Sequence, residues 1–197
     1  MSFLKSWETL EGACYNCRKC RLWETRTNVV IGVGNREADI LFIGEGPGQQ
    51  EDLQGEPFVG PAGKLLDKML AAVHLDRQQV YIANIVKCRP PGNRDPHEDE
   101  QEACMNYLRY QLMLVKPKIV VCLGRIAAMA IIDKNFRITK EHGIWTERKG
   151  YWFIATYHPS ALLRDETKKR PAWEDFKLIR EKLDELKSEQ NSKESER

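Results

Sequence analysis

The chain lacks most of the features that sort a protein at a glance. No apolar run approaches the roughly 18 residues of a membrane span, and the opening segment MSFLKSWETLEGACYNC has no apolar centre of the kind a secretion signal needs. A cytosolic protein with no membrane attachment is therefore expected. It also lacks an excess of either charge. Lys and Arg number 31 against 29 Asp and Glu, for a formal net charge of +2, so composition alone describes an ordinary enzyme, and any affinity for nucleic acid must come from a local patch. Internal repeats are absent. What remains is 197 residues with 42% hydrophobic content, enough for one domain with a sizeable core and too little for two large ones. A monomer is the default expectation. The six cysteines are unlike a disulfide framework in a reducing compartment and point instead to metal binding or catalysis.

Short apolar runs alternate with helical patterns along the chain. Residues 39–43 (DILFI) read as a buried strand feeding the glycine turn GEGPG. After a second turn signal, Pro61 suits a first helical position, and Leu65, Leu66, Met69, Leu70 and Val73 recur at helical spacing. Further strands are expected at 80–86, 118–124 and 152–156, and further helices over about 97–115, 125–132 and 172–187. The polar, proline-rich segment 87–100 reads as a long loop of the kind that carries function. Such alternation predicts an α/β fold, a single three-layer α/β/α domain over residues 1–187 with a mainly parallel central sheet. The polar residues 188–197 read as a disordered tail. The GEGPG turn, the region of Asn84 and His158 each follow a predicted strand, and ligands in open α/β sheets bind outside those strand ends.

Cys14, Cys17 and Cys20 form a C-x2-C-x2-C run, and Cys88 and Cys104 stand around the long loop with fifteen residues between them. Four thiolates suit either zinc or an iron–sulfur cluster. Zinc sites usually present two tight pairs, so the spread second pair favours a cluster without excluding zinc. Cys122 lies inside an apolar strand and reads as a small buried hydrophobe. In GEGPGQQED (44–52) the glycines fall as G-x-G-x-G with no Lys-Ser/Thr pair, which disfavours a phosphate-cradling loop. The alternatives are a tight turn with solvated acids, or a turn whose backbone N–H groups approach a ligand, with Glu45 and Glu51 beside it. A lone histidine such as His158 is more often structural than catalytic, but its position after a strand raises the second reading.

Taken in order, CRKCRLWETRT (17–27), GEGPGQQED with PFVGPAGKLLD (57–67), NIVKCRPPGNR (84–94), Cys104 and YHPSALL (157–163) resemble the family 4 uracil-DNA glycosylases, over roughly residues 10–187. The resemblance implies a DNA-repair hydrolase that removes uracil from single- or double-stranded DNA. It also implies a [4Fe-4S] cluster held by Cys17, Cys20, Cys88 and Cys104. Cys14 is then surplus, although Cys14 with Cys17 has the same spacing as Cys17 with Cys20. Two other readings stay open: a superfamily member with altered base specificity, and a non-catalytic iron–sulfur module that binds nucleic acid.

The resemblance also implies roles for the pocket residues. Phe58 corresponds to the aromatic that stacks on the flipped base, and Asn84 to the amide that reads its edge. A base in a duplex must be extruded before it can be attacked, and a site built on edge hydrogen bonds rejects the wrong base because its own polar groups go unpaired. His158 would donate to uracil O2 and steady the departing anion. Gly44 and Gly46 line the turn. Many relatives outside family 4 carry an aspartate where Gly46 stands, which leaves Glu45 to position water or steady the sugar cation, and Glu51 to shape the side of the pocket facing C5. Arg89, Arg94 and the run 162–170 supply positive charge for phosphates, and Leu162 or Leu163 is a candidate wedge into the base stack.

Overall fold

Ile40–Gly44, Tyr81–Asn84 and Ile119–Leu123 are buried along their whole length, as strands covered on both faces must be, and the chain is assembled around them. The computed structural model describes residues 6–195. In chain order its elements are α1 (Trp7–Tyr15), β1 (Val33–Gly34), β2 (Ile40–Gly44), α2 (Gln49–Gln54), α3 (Pro61–Ala72), β3 (Tyr81–Asn84), α4 (Glu98–Val115), β4 (Ile119–Leu123), α5 (Arg125–Ile131), α6 (Ile138–Glu141), β5 (Thr146–Arg148), β6 (Tyr151–Thr156), α7 (Pro159–Arg164) and α8 (Lys169–Ser195).

The six strands form one sheet in the order β1-β3-β2-β4-β6-β5. The central four are parallel, and β1 and β5 add antiparallel edges. Side chains alternate across the sheet with the pleat. Leu41 and Ile43 of β2 join a core with Leu10, Tyr107, Leu108 and Ala127, from α1, α4 and α5. Ile40 and Phe42 face the other way, onto Leu66 and Leu70 of α3 and Phe176, Ile179 and Leu183 of α8. This is the expected three-layer α/β/α arrangement. Among the described residues no helix is long and apolar enough to cross a membrane.

Several boundaries differ from expectation. A short helix, α2, begins at Gln49, so no long gap separates the glycine turn from helical structure. Strand β3 stops at Asn84 rather than 86, but the run stays against the turn, because Ile85 N donates to Gly44 O at 2.9 Å and Val86 N to Glu45 O at 3.1 Å. Segment 159–164 is helical. The disordered tail expected over 188–197 is helical as far as Ser195. Within it the Ser188 and Ser192 hydroxyls fold back onto the helix and donate to the carbonyls of Asp184 and Ser188, at 2.9 and 3.0 Å. Lys118 also donates to Gln190 across 2.6 Å. Residues 196–197 lie outside the described ones.

Candidate active site

The parallel register sets Gly44 beside Asn84, and Leu123 beside Thr156. The chain therefore leaves β2, β3, β4 and β6 on one edge of the sheet, where the strand ends open into a cleft of about 630 Å³. Glu45, Gly46, Glu51, Phe58, Asn84 and His158 all line it, so residues far apart in sequence meet as expected for this sheet type.

Asn84 is 2% exposed, and among the described residues its side-chain Oδ1 has no hydrogen-bond partner. A buried amide left without a partner costs about 1–3 kcal/mol and is unusual enough to mark a binding atom. The Oδ1 atom sits over Gly44, where an added Cβ would lie 2.4 Å from it and 2.7 Å from the Phe58 ring. Only glycine leaves this space open.

Phe58 is 6% exposed and holds a left-handed backbone with φ of 55°, a sparsely populated state for a bulky residue. The surroundings impose it. Glu51 Oε1 accepts from Val59 N at 3.0 Å and Gly60 N at 2.8 Å. Arg77 donates to the carbonyls of Pro57 and Phe58 and pairs with Asp67. Gly63 lets helix α3 lie against the Phe58 carbonyl, where any Cβ would collide. Glu51 thus lines the cleft while one of its oxygens fixes the loop that carries Phe58. The roles of Arg77 and Gly63 left no signal in the sequence, since both act on the backbone around Phe58 and residue type does not encode such a partner.

His158 caps α7, and its Nδ1 accepts from Ser160 N at 3.1 Å with the Ser160 hydroxyl 2.7 Å away. A nitrogen that accepts an amide proton carries none, so the neutral ring bears its hydrogen on Nε2. Burial, with Arg164 adding to it, lowers its pKa to about 4, so the ring is neutral at physiological pH. Its ring lies 5.5 Å from that of Phe58, centroid to centroid. Gly124, with φ of 91°, admits it: a Cβ there would stand 2.8 Å from the His158 Cβ.

Burial raises Glu45 to about 7, Asp95 reinforces the shift, and Arg125 and Arg164 oppose it. Asp95 in turn accepts from Arg125 at 2.7 Å. Of the basic residues expected at phosphates, Arg94 is committed to a bidentate pair with buried Glu100, at 2.8 and 2.7 Å, and Arg89 donates to Asn93 at 2.7 Å. Arg125, Arg164 and Lys168 lie on the cleft rim. Leu162 is buried at 1% exposure, whereas Leu163 is 50% exposed on the same short helix.

On the α1–α4 side of the sheet, Cys14, Cys17, Cys20, Cys88 and Cys104 wall a second, small apolar cavity, and none is in a disulfide. Two nitrogens are aimed at the sulfurs: Arg26 Nη1 donates to Cys88 Sγ and Lys87 N to Cys104 Sγ, both at 3.3 Å. Such N–H···S contacts suit thiolate ligands. Five cysteines around one apolar cavity are a donor set that fits a thiolate-ligated metal centre, either zinc or an iron–sulfur cluster. Burial raises the Cys14 thiol to about 12 and that of Cys104 to about 11, with Lys87 opposing in both. Cys122 is buried within β4, as expected, and is not among the residues that wall this cavity.

The sheet-end cleft brings together an aromatic face, a buried amide oxygen without a partner among the described residues, and a neutral imidazole. Residues 31–177 match the model of the Uracil DNA glycosylase superfamily. A type-4 uracil-DNA glycosylase of Sulfurisphaera tokodaii is 46% identical, covering 90% of this chain and 85% of its own. That of Archaeoglobus fulgidus is 48% identical, covering 84% and 87%, and that of Saccharolobus solfataricus is 43% identical, covering 85% and 82%. The chain belongs to the uracil-DNA glycosylase superfamily and, within it, to the type-4 family.

Proposed function

We propose that the chain is a DNA-repair enzyme that hydrolyses the bond between uracil and deoxyribose in DNA, releasing free uracil and leaving an abasic site. The observation that carries the reading is the partnerless Oδ1 of buried Asn84 beside Phe58. Uracil presents N3–H and O4 along one edge, so the Asn84 amide accepts from the first and donates to the second. Cytosine reverses that pattern and leaves both amide atoms unpaired, which a buried site punishes strongly. Phe58 supplies the stacking face for the extruded base.

Cleavage of the glycosidic bond leaves positive charge on the sugar and negative charge on the base. The Nε2–H of neutral His158 donates to uracil O2 as the anion develops, and the ring's fixed tautomer means no reorganisation at that moment. Glu45, once ionised, orients the attacking water and faces the cationic sugar. Gly44 and Gly46 keep the turn open to the base, and Glu51 acts by holding the Phe58 loop. Arg125, Arg164 and Lys168 receive phosphates, and Leu163 enters the stack from which the base leaves.

Cys17, Cys20, Cys88 and Cys104 would hold a [4Fe-4S] cluster, with Cys14 as an inner neighbour. When bound, the cluster supplies a cross-link between the amino-terminal segment and the 87–104 region, and hydrolysis itself calls for no electron transfer. The enzyme is read as a monomer acting in the cytoplasm on single- or double-stranded DNA. Chromatographic detection of free uracil after incubation with uracil-containing DNA tests the reading; release of thymine or cytosine at a comparable rate would overturn it.

A further inference from the structure

Lys87 stands three residues after Asn84 and one before Cys88, and its side chain is enclosed at 2% exposure. Nζ donates to the Asn84 carbonyl at 2.7 Å and to Gln111 Oε1 at 2.5 Å. Gln111, also buried, passes the network on to the Ile31 carbonyl at 2.9 Å and the Tyr81 hydroxyl at 3.3 Å. Among the described residues no carboxylate pairs with Lys87. The ionisable groups that act on it electrostatically are Cys104, Cys14 and Cys88; Lys87 is among the residues that wall the cysteine cavity, and its backbone N–H donates to Cys104 Sγ at 3.3 Å.

An ammonium enclosed by neutral acceptors alone is held at a large desolvation cost, and proteins normally set an anion beside it. A thiolate-ligated iron–sulfur cluster carries net negative charge and belongs on the sulfur side of Lys87. An ammonium has three donors. Two are spent on Asn84 and Gln111.

We infer that Lys87 is a positioning residue that links the cluster to base reading: it is the cluster's counter-charge on one side and ties down the Asn84 peptide on the other. The inference rests on the role given above to Asn84. The loaded cluster then holds the end of β3 in register with Gly44, so that the Asn84 amide meets the base already oriented. On this view the cluster acts on specificity as well as on cohesion.

The test uses cluster-loaded full chain carrying Lys87→Met, which keeps length and loses charge, and Lys87→Gln, which keeps a polar group. Two quantities are read: the reduction potential of the cluster by spectroelectrochemistry, and the kcat and KM for uracil excision. Loss of a neighbouring positive charge shifts the potential to more negative values in both variants. Loss of the tie to Asn84 lowers kcat about tenfold, with KM for DNA within about twofold of wild type. A potential equal to that of wild type in either variant, or an unchanged kcat in both, overturns the inference. If unmutated protein excises no uracil, the function proposed above fails on its own, and the potential alone decides whether Lys87 serves the cluster. Should neither variant fold, hydrogen exchange on unmutated protein decides. After chelation of the iron, exchange at Ile85 and Val86 is expected to rise at least about tenfold relative to β4, and equal protection in the two forms overturns the inference.

Discussion

The backbone N–H of Ser160 donates to Nδ1 of His158 at 3.1 Å, and this contact decides which nitrogen the imidazole offers to a base. The bond belongs to the main chain, so Ser160→Ala keeps it and loses only the hydroxyl, and excision should fall by no more than a few-fold. His158→Ala removes the donor itself, with an expected loss of about 10²–10³ in kcat. Single-turnover rates on the same oligonucleotide separate the two.

Gly44 and Asn84 are paired across the parallel ladder, and the space above Gly44 is the space the base needs. Gly44→Ala puts a methyl 2.4 Å from Asn84 Oδ1 and against the Phe58 ring. Excision is expected to fall at least about a hundredfold, while circular dichroism and cluster absorbance stay close to wild type.

Glu45, raised to about 7, stays protonated below neutral pH and gains its negative charge as pH rises through that value. Excision under single-turnover conditions should therefore climb between about pH 6 and pH 8 and then level off. His158, lowered to about 4, is neutral throughout that window and adds no second limb. Glu45→Gln should be slower and flat across the same range; a profile of unchanged shape would remove Glu45 from the mechanism.

Leu163 is exposed and Leu162 is buried, so of the two only Leu163 is free to serve as the proposed wedge. Leu163→Ala should slow excision from duplex DNA about tenfold, because the wedge offsets part of the cost of unstacking. Single-stranded DNA, which has little stack to open, should be cut at the wild-type rate.

If the proposed cluster joins the amino-terminal segment to the 87–104 region, chelating its iron removes that link. Breaking a native cross-link in a small protein costs about 2–5 kcal/mol, and at this size each kcal/mol moves Tm by about 2–4 °C. A fall in Tm of roughly 10 °C is expected by calorimetry.

The central strands were legible because apolar runs such as DILFI and KIVVCLG are bounded by turn residues, and α3 because Pro61 opens a regular apolar stripe. The edge strands β1 and β5 were not, since two or three half-exposed residues carry no periodic signal. Helix α2 was hidden inside a glycine-rich stretch. In the site, the GEGPG turn, Asn84 and His158 could be placed at one cleft from strand order, and Phe58 was reached only through the family resemblance. The restraints that shape them could not, because Arg77 with Phe58, Gly124 with His158 and Lys87 with Asn84 are contacts to backbone or between loops, where residue type says little about the partner. Arg94 shows the reverse: its charge reads as phosphate-binding, but a buried glutamate six residues on takes it.

The most direct measurement is strand cleavage, after alkaline treatment, of labelled oligonucleotides carrying U, T, C or hypoxanthine at one position, by wild type, Asn84→Ala and His158→Ala with the cluster in place. The account expects breaks at U alone, lost to within about 1% of wild type in both variants. Equal cleavage of the four substrates, or an Asn84→Ala enzyme as fast and as selective as wild type, would contradict it.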